Sequence, residues 1–159
     1  HVRWCERRVG RPHPPTRCWS APEEAEAIAW LRVNARPGDI LVEAVDARGG
    51  SYTEFARLST FSGVPTVLGW VGHELQWRGP IAEVGERQRA VASIYRATSR
   101  EALLTAAARY GVSLVIVGPR EHRTYGQGVA RIGQWLPRAF RSQNGGIVIY
   151  RLASATAKR

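Results

Sequence analysis

The sequence predicts a mixed α/β fold: a Rossmann-like three-layer sandwich whose mostly parallel sheet closes on a C-terminal antiparallel hairpin. Three observations predict it. The runs at 40–45 and 112–117 are apolar and rich in β-branched residues, as in strands covered on both faces. Segments with the 3.6-residue period of amphipathic helices alternate with such runs, which implies parallel strands joined by right-handed crossovers. Near the end, Asn144-Gly145 lies between two short runs, 137–141 and 146–152, as in a hairpin.

The elements follow in order. Residues 1–19 hold Arg7, Arg8, Arg11 and Arg17 among Pro12, Pro14 and Pro15, without apolar periodicity, and read as a basic arm or linker. Ser20 and Glu23 have capping-box spacing, and Pro22 suits a first turn. Ala25, Ile28, Leu31 and Ala35 then fall at helical spacing until Pro37-Gly38-Asp39 turns the chain. A strand at 40–45 leads to a polar loop centred on Gly49 and Gly50. Thr53 is a candidate cap for a short helix carrying Phe55, Leu58 and Phe61, with Gly63 as its C-terminal cap. Pro65 opens a second strand, 66–70. Helices are expected at 82–96, with Val84, Val91, Ile94 and Tyr95 inward, and from Ser99 to Gly111, with Leu103, Leu104 and Ala107 inward. Gly118-Pro119 ends the strand 112–117, and 127–136 reads as a short helix. The domain thus spans 20–152, and 153–159 is an unstructured tail.

Composition narrows the function. The apolar runs are too short to span a bilayer, and no cleavable signal peptide is visible. The chain begins at His1 and contains no Met, so it reads as a piece of a longer protein. A net charge of +10 invites nucleic acid or an anionic lipid headgroup. Lys158 is the only Lys, however, and the Arg residues are scattered, as coding bias would scatter them. No recognition-helix or zinc-finger pattern accompanies them, so no specific nucleic-acid partner is expected. Cys5 and Cys18 allow either one disulfide or two free thiols, and two cysteines with His13 do not make a zinc site.

Ligands of open parallel sheets bind beyond the carboxyl ends of the strands. Three such ends carry unusual residues. The first is followed by Asp46, Arg48, Gly49, Gly50, Ser51, Tyr52 and Glu54, where the glycines before a helix suit either an anion cradle or an ordinary turn. The spacing is neither the phosphate-loop nor the dinucleotide pattern, and no cofactor is expected. The second runs into Trp70, His73, Glu74, Trp77 and Arg78, the sharpest candidate. Gly69, Gly72 and Gly79 permit tight turns or close approach. Trp70 and Trp77 offer flat faces for a sugar or ring, Arg78 a fork for phosphate or carboxylate, and His73 with Glu74 are the candidate proton-transfer pair. Trp77 stands where a His-Glu-x-x-His site needs its second His, so no metal is expected. The third end, Arg120, Glu121, His122, Arg123 and Tyr125, reads most simply as a solvated loop.

An ordered series of short motifs adds a resemblance. Gly50-Ser51-Tyr52-Thr53-Glu54 is followed by Gly63-Val64-Pro65-Thr66-Val67-Leu68-Gly69-Trp70, Gly72-His73-Glu74 and Gln76-Trp77-Arg78-Gly79. Tyr110-Gly111-Val112, Val117-Gly118-Pro119 and Gly146-Ile147-Val148-Ile149-Tyr150 complete it. Over about residues 20–152 the series resembles the C-terminal soluble region of the Chlor-Arch-YYY (DUF2298) family of polytopic membrane proteins. These are similar to GT-C glycosyltransferases, which take sugars from polyprenyl-phosphate donors. The resemblance implies an extracytoplasmic domain at the cell membrane beside a multi-helix transmembrane part of the same protein. It also implies that catalysis belongs to that part, whose membrane-proximal loop carries the GT-C carboxylate. The Arg- and Pro-rich arm departs from the pattern.

Three readings follow. The first is an accessory domain contacting a polyprenyl-phosphate sugar or glycan through Gly50, Ser51, Tyr52, Glu54, Trp70, His73, Glu74, Trp77 and Arg78. The second is a small hydrolase or transferase with Glu74 as base and His73 as acid. The third is a structural module with an apolar patch around Trp30, Trp70, Trp77 or Trp135.

Overall fold

A computed structural model of the chain describes residues 21–79 and 82–152, without the side chain of Arg78. The arm 1–19, the Ser20 cap, the tail 153–159 and both cysteines lie outside the described residues. Helix α1, Pro22–Asn34, begins with Pro at its first position and Glu23 and Glu24 in its first turn, where the helix dipole favours negative charge. Its buried stripe is Glu24, Ala27, Ile28 and Leu31. Ala25, expected inward, faces out. Strand β1 is only Leu41–Val42. The expected strand runs on to Val45, and those residues are indeed buried, but side chains take their N–H groups. Ala44 N donates to Glu121 Oε1 at 2.9 Å and Val45 N to Tyr125 Oη at 3.3 Å.

Helix α2 is Arg57–Ser62, shorter than expected, and Thr53 does not cap it. The carboxylate of Glu43 does so from a distance, accepting from Leu58 N at 3.1 Å and Ser59 N at 3.0 Å. Gly63 ends the helix with φ 80°, as its position foretold. Phe55 and Leu58 are buried, whereas Phe61 is 38% exposed. The expected second strand contributes one parallel bridge, Leu41 to Thr66. Its chain then enters a helix the periodicity did not disclose, α3, Val71–Arg78, closed by Gly79 at φ 76°. Helices α4, Ala82–Tyr95, and α5, Arg100–Ala108, fall where expected. Ser99 caps α5 by accepting from Ala102 N at 3.1 Å.

Strand β2, Leu114–Val117, is fully buried. Pro119 then starts α6, Pro119–Tyr125, where a solvated loop was expected. A 3-10 turn, Gln127–Arg131, and α7, Ile132–Trp135, replace the single short helix. Strands β3, Arg138–Arg141, and β4, Val148–Arg151, form the expected hairpin, with Phe140 opposite Ile149.

The sheet order is β1-β2-β4-β3. The β1–β2 pair is parallel, and both other pairs are antiparallel. The parallel majority is therefore absent: the hairpin places β4 against β2, and 66–70 never lengthens into a ladder. The fold meets the expectation as a mixed α/β fold with a terminal hairpin. Alternation along the strands builds two cores. Leu41, Leu114, Ile116 and Ile149 meet α1 and α2, whereas Val42, Val115 and Val117 meet α4 and α5. Among the described residues, no helix is long and apolar enough to cross a membrane.

Candidate functional site

The segments that follow β1, the 66–70 bridge and β2 converge, as the strand-end rule anticipates. Gly72 sits so close to the first of these that an added Cβ would collide with the Gly49 carbonyl and lie 2.6 Å from Ser51 Oγ. Glu54 joins the same loop to α6, with its Oε2 3.3 Å from Arg123 Nη2 and 3.6 Å from Arg120 Nε. Ala44 and Val45 complete the junction through Glu121 and Tyr125.

On this junction lies an aromatic cluster. Trp70 is fixed by its indole N–H, which donates to Phe55 O at 2.7 Å. The Tyr52 ring lies 5.2 Å from the Trp70 ring and 5.0 Å from the His73 ring. Tyr52 Oη and His73 Nε2 are 3.3 Å apart, and Trp77 meets His73 edge-on at 6.0 Å. Tyr52 holds φ 56°, a left-handed conformation that a bulky side chain adopts only under constraint. Its ring is 73% exposed and Trp77 is 77% exposed, with Leu75 also at the surface. Of the four Trp positions named for an apolar patch, Trp77 is the exposed one. Trp30 lies tilted against Phe140, and Trp135 packs against the core.

Behind the cluster opens a cleft of about 480 Å³. Its floor is the 63–70 segment, and its walls carry Thr60 from α2, His73 and Glu74 from α3, and Glu83 and Arg87 from α4. Trp70 lines it as well, while Tyr52 and Trp77 continue the surface outward. Arg87 donates through Nε and Nη2 to Glu83 Oε1 at 3.0 and 2.7 Å and through Nη1 to Val67 O at 2.9 Å. The Tyr110 ring lies beneath it at 5.0 Å.

The first loop is not an open anion cradle. Asp46 already occupies it: Oδ1 accepts from Arg48 N at 3.0 Å, the Asp46 carbonyl from Gly49 N at 3.2 Å, and the carboxylate from Gly50 N. Burial works against ionisation of Asp46, but these N–H groups and the Arg48 guanidinium outweigh it and hold the carboxyl below its usual range.

Sequence reasoning missed a second polar layer beneath the site. Glu24 is buried and pairs with Arg57 at 2.8 Å and with Arg120. Glu121, read from sequence as part of a solvated loop, is 3% exposed. Burial, with Glu43 adding repulsion, pushes its carboxyl up to about 7. Burial also raises Glu43. Tyr95 is fully buried and its hydroxyl is shared between Val42 O at 2.9 Å and Ile116 O at 2.8 Å. Glu43 had a legible signal, a carboxylate inside the apolar run 40–45. Glu121 had none, because its neighbours His122 and Arg123 are indeed solvent-facing.

No protein-family model and no curated protein matches the chain. Among solved structures, it is similar to the C-terminal globular domain of an oligosaccharyltransferase from Archaeoglobus fulgidus, with 12% identity and a TM-score of 0.49. The match covers 84% of this chain and 99% of that one.

Proposed function

We propose that this chain is an extracytoplasmic accessory domain of a membrane glycosyltransferase-like protein, with a membrane-spanning part of the same protein as its partner. Its Tyr52, Trp70, His73 and Trp77 surface contacts the sugar of a lipid-linked sugar phosphate or of a glycan. The motif series from Gly50 to Tyr150 supports the parentage. The aromatic cluster at the mouth of the cleft carries the ligand reading. Pyranose rings present flat C–H faces that pack on aromatic rings while their hydroxyls reach for polar groups. Such a site needs apolar walls with a few convergent polar groups. Here Trp70 is anchored, Tyr52 is held outward by a constrained backbone, and carboxylates line the cleft behind.

Binding of a short-chain polyprenyl-phosphate mannose to the full chain tests this. Tyr52→Ala and Trp77→Ala remove exposed rings, so the melting temperature stays within the range of surface changes. Each is expected to weaken binding about five-fold or more, as truncated aromatic anchors do. Unchanged affinity in both variants contradicts the proposal.

A further inference from the structure

Resting on the saccharide reading of the site, we infer that its ligand is a glycan chain of more than one sugar unit, with one unit on the exposed rings and the next on the cleft floor. Tyr52 and Trp77 stand outside the cleft lining, whereas Trp70 and His73 belong to it. The His73 ring links the two Trp rings, 6.1 Å from Trp70 and 6.0 Å from Trp77. The ring surface therefore runs from the exterior into the cleft. The floor offers hydrogen bonds instead of rings. At the isolated bridge Leu41 makes both backbone bonds, donating to Pro65 O at 2.8 Å and accepting from Val67 N at 3.2 Å. The N–H and C=O of Thr66 are thereby turned away from β1, as on an open sheet edge. Among the described residues neither has a hydrogen-bond partner. Thr66 lines the cleft, and so does Arg87, whose guanidinium donates three bonds and keeps two of its five N–H groups open. Sugar hydroxyls both donate and accept, so they suit this mixture of groups. A ring stacked on Tyr52 and Trp77 lies outside the lining and leaves the floor unused. The cleft behind it, about 480 Å³, is in the range of small-molecule sites and has room for the next unit.

The test is calorimetric and NMR titration of the full chain with methyl α-mannoside and mannotriose, and with N-acetylglucosamine and chitotriose. The expected result is a trisaccharide bound about ten-fold more tightly than its single sugar. The single sugar moves the Tyr52 and Trp77 signals, and the trisaccharide moves the Thr66 amide as well. Arg87→Lys keeps the charge beside Glu83 but lacks the surplus guanidinium N–H groups, and it narrows the gap between the two lengths. Tyr52→Ala weakens both. Equal affinity for single sugar and trisaccharide, or a silent Thr66 amide at saturating trisaccharide, overturns the multi-unit ligand and leaves the saccharide site standing, provided that Trp77 responds. Absence of binding by all four sugars to the folded chain overturns the saccharide site and the multi-unit ligand with it.

Discussion

Gly72 is the point where α3 and the loop after β1 come closest, and no side chain fits between them. Gly72→Ala forces the Gly49 carbonyl and Ser51 away. Overpacking of this kind costs about 1–3 kcal/mol, read as a lower urea midpoint, together with displaced Tyr52 and Trp70 resonances. A second residue-scale consequence comes from Glu121. Its folded carboxyl titrates near 7, above the ordinary carboxylate value of 4.5. Between those values the folded state holds a proton that the unfolded state has lost. The contribution is thus complete below the unfolded value and falls away as pH rises through about 7. The urea midpoint should decline between the two values, and Glu121→Gln should flatten that part of the profile. A wild-type and variant profile of equal slope would speak against a buried, proton-holding Glu121. At this scale the sequence disclosed the aromatic and glycine residues of the surface, because their types are informative by themselves. It could not disclose Glu121, whose burial is decided by how α6 folds back onto β1.

The elements that could be read in advance are those stabilised by their own pattern. Helices α4 and α5 show a clear apolar stripe, and Ser99 stands where α5 needs a cap. Ser99→Ala removes the acceptor for Ala102 N and should cost about 1 kcal/mol, measurable as a lower melting temperature. A melting temperature equal to wild type would show that the cap contributes nothing. Strand β2 and the β3–β4 hairpin were likewise legible, from β-branched content and the Asn144-Gly145 turn. The failures have one cause: long-range side-chain partners override local preference. Strand β1 stops at Val42 because Glu121 and Tyr125 replace a neighbouring strand. Helix α2 starts at Arg57 because Glu43, not Thr53, meets its first N–H groups. Helix α3 was obscured by Gly72 in its first turn, a residue that lowers helix propensity yet is needed for the contact below it.

For the whole molecule, two cores on opposite faces of a small sheet leave the strand-end edge as the place where polar and aromatic groups gather. The net charge of +10 suggested an anionic partner, and among the described residues the cleft lining brings Glu74, Glu83 and Arg87 together. The most direct measurement is an NMR titration of the isotopically labelled full chain with a neutral trisaccharide, read at the Trp indole N–H signals. Trp70 and Trp77 should shift together with the backbone amides of 69–77, while Trp30 and Trp135, held against Phe140 and the core, stay in place. Shifts confined to Trp30 or Trp135, or a silent Trp70 at saturating sugar, would contradict the assignment of this surface as the ligand site.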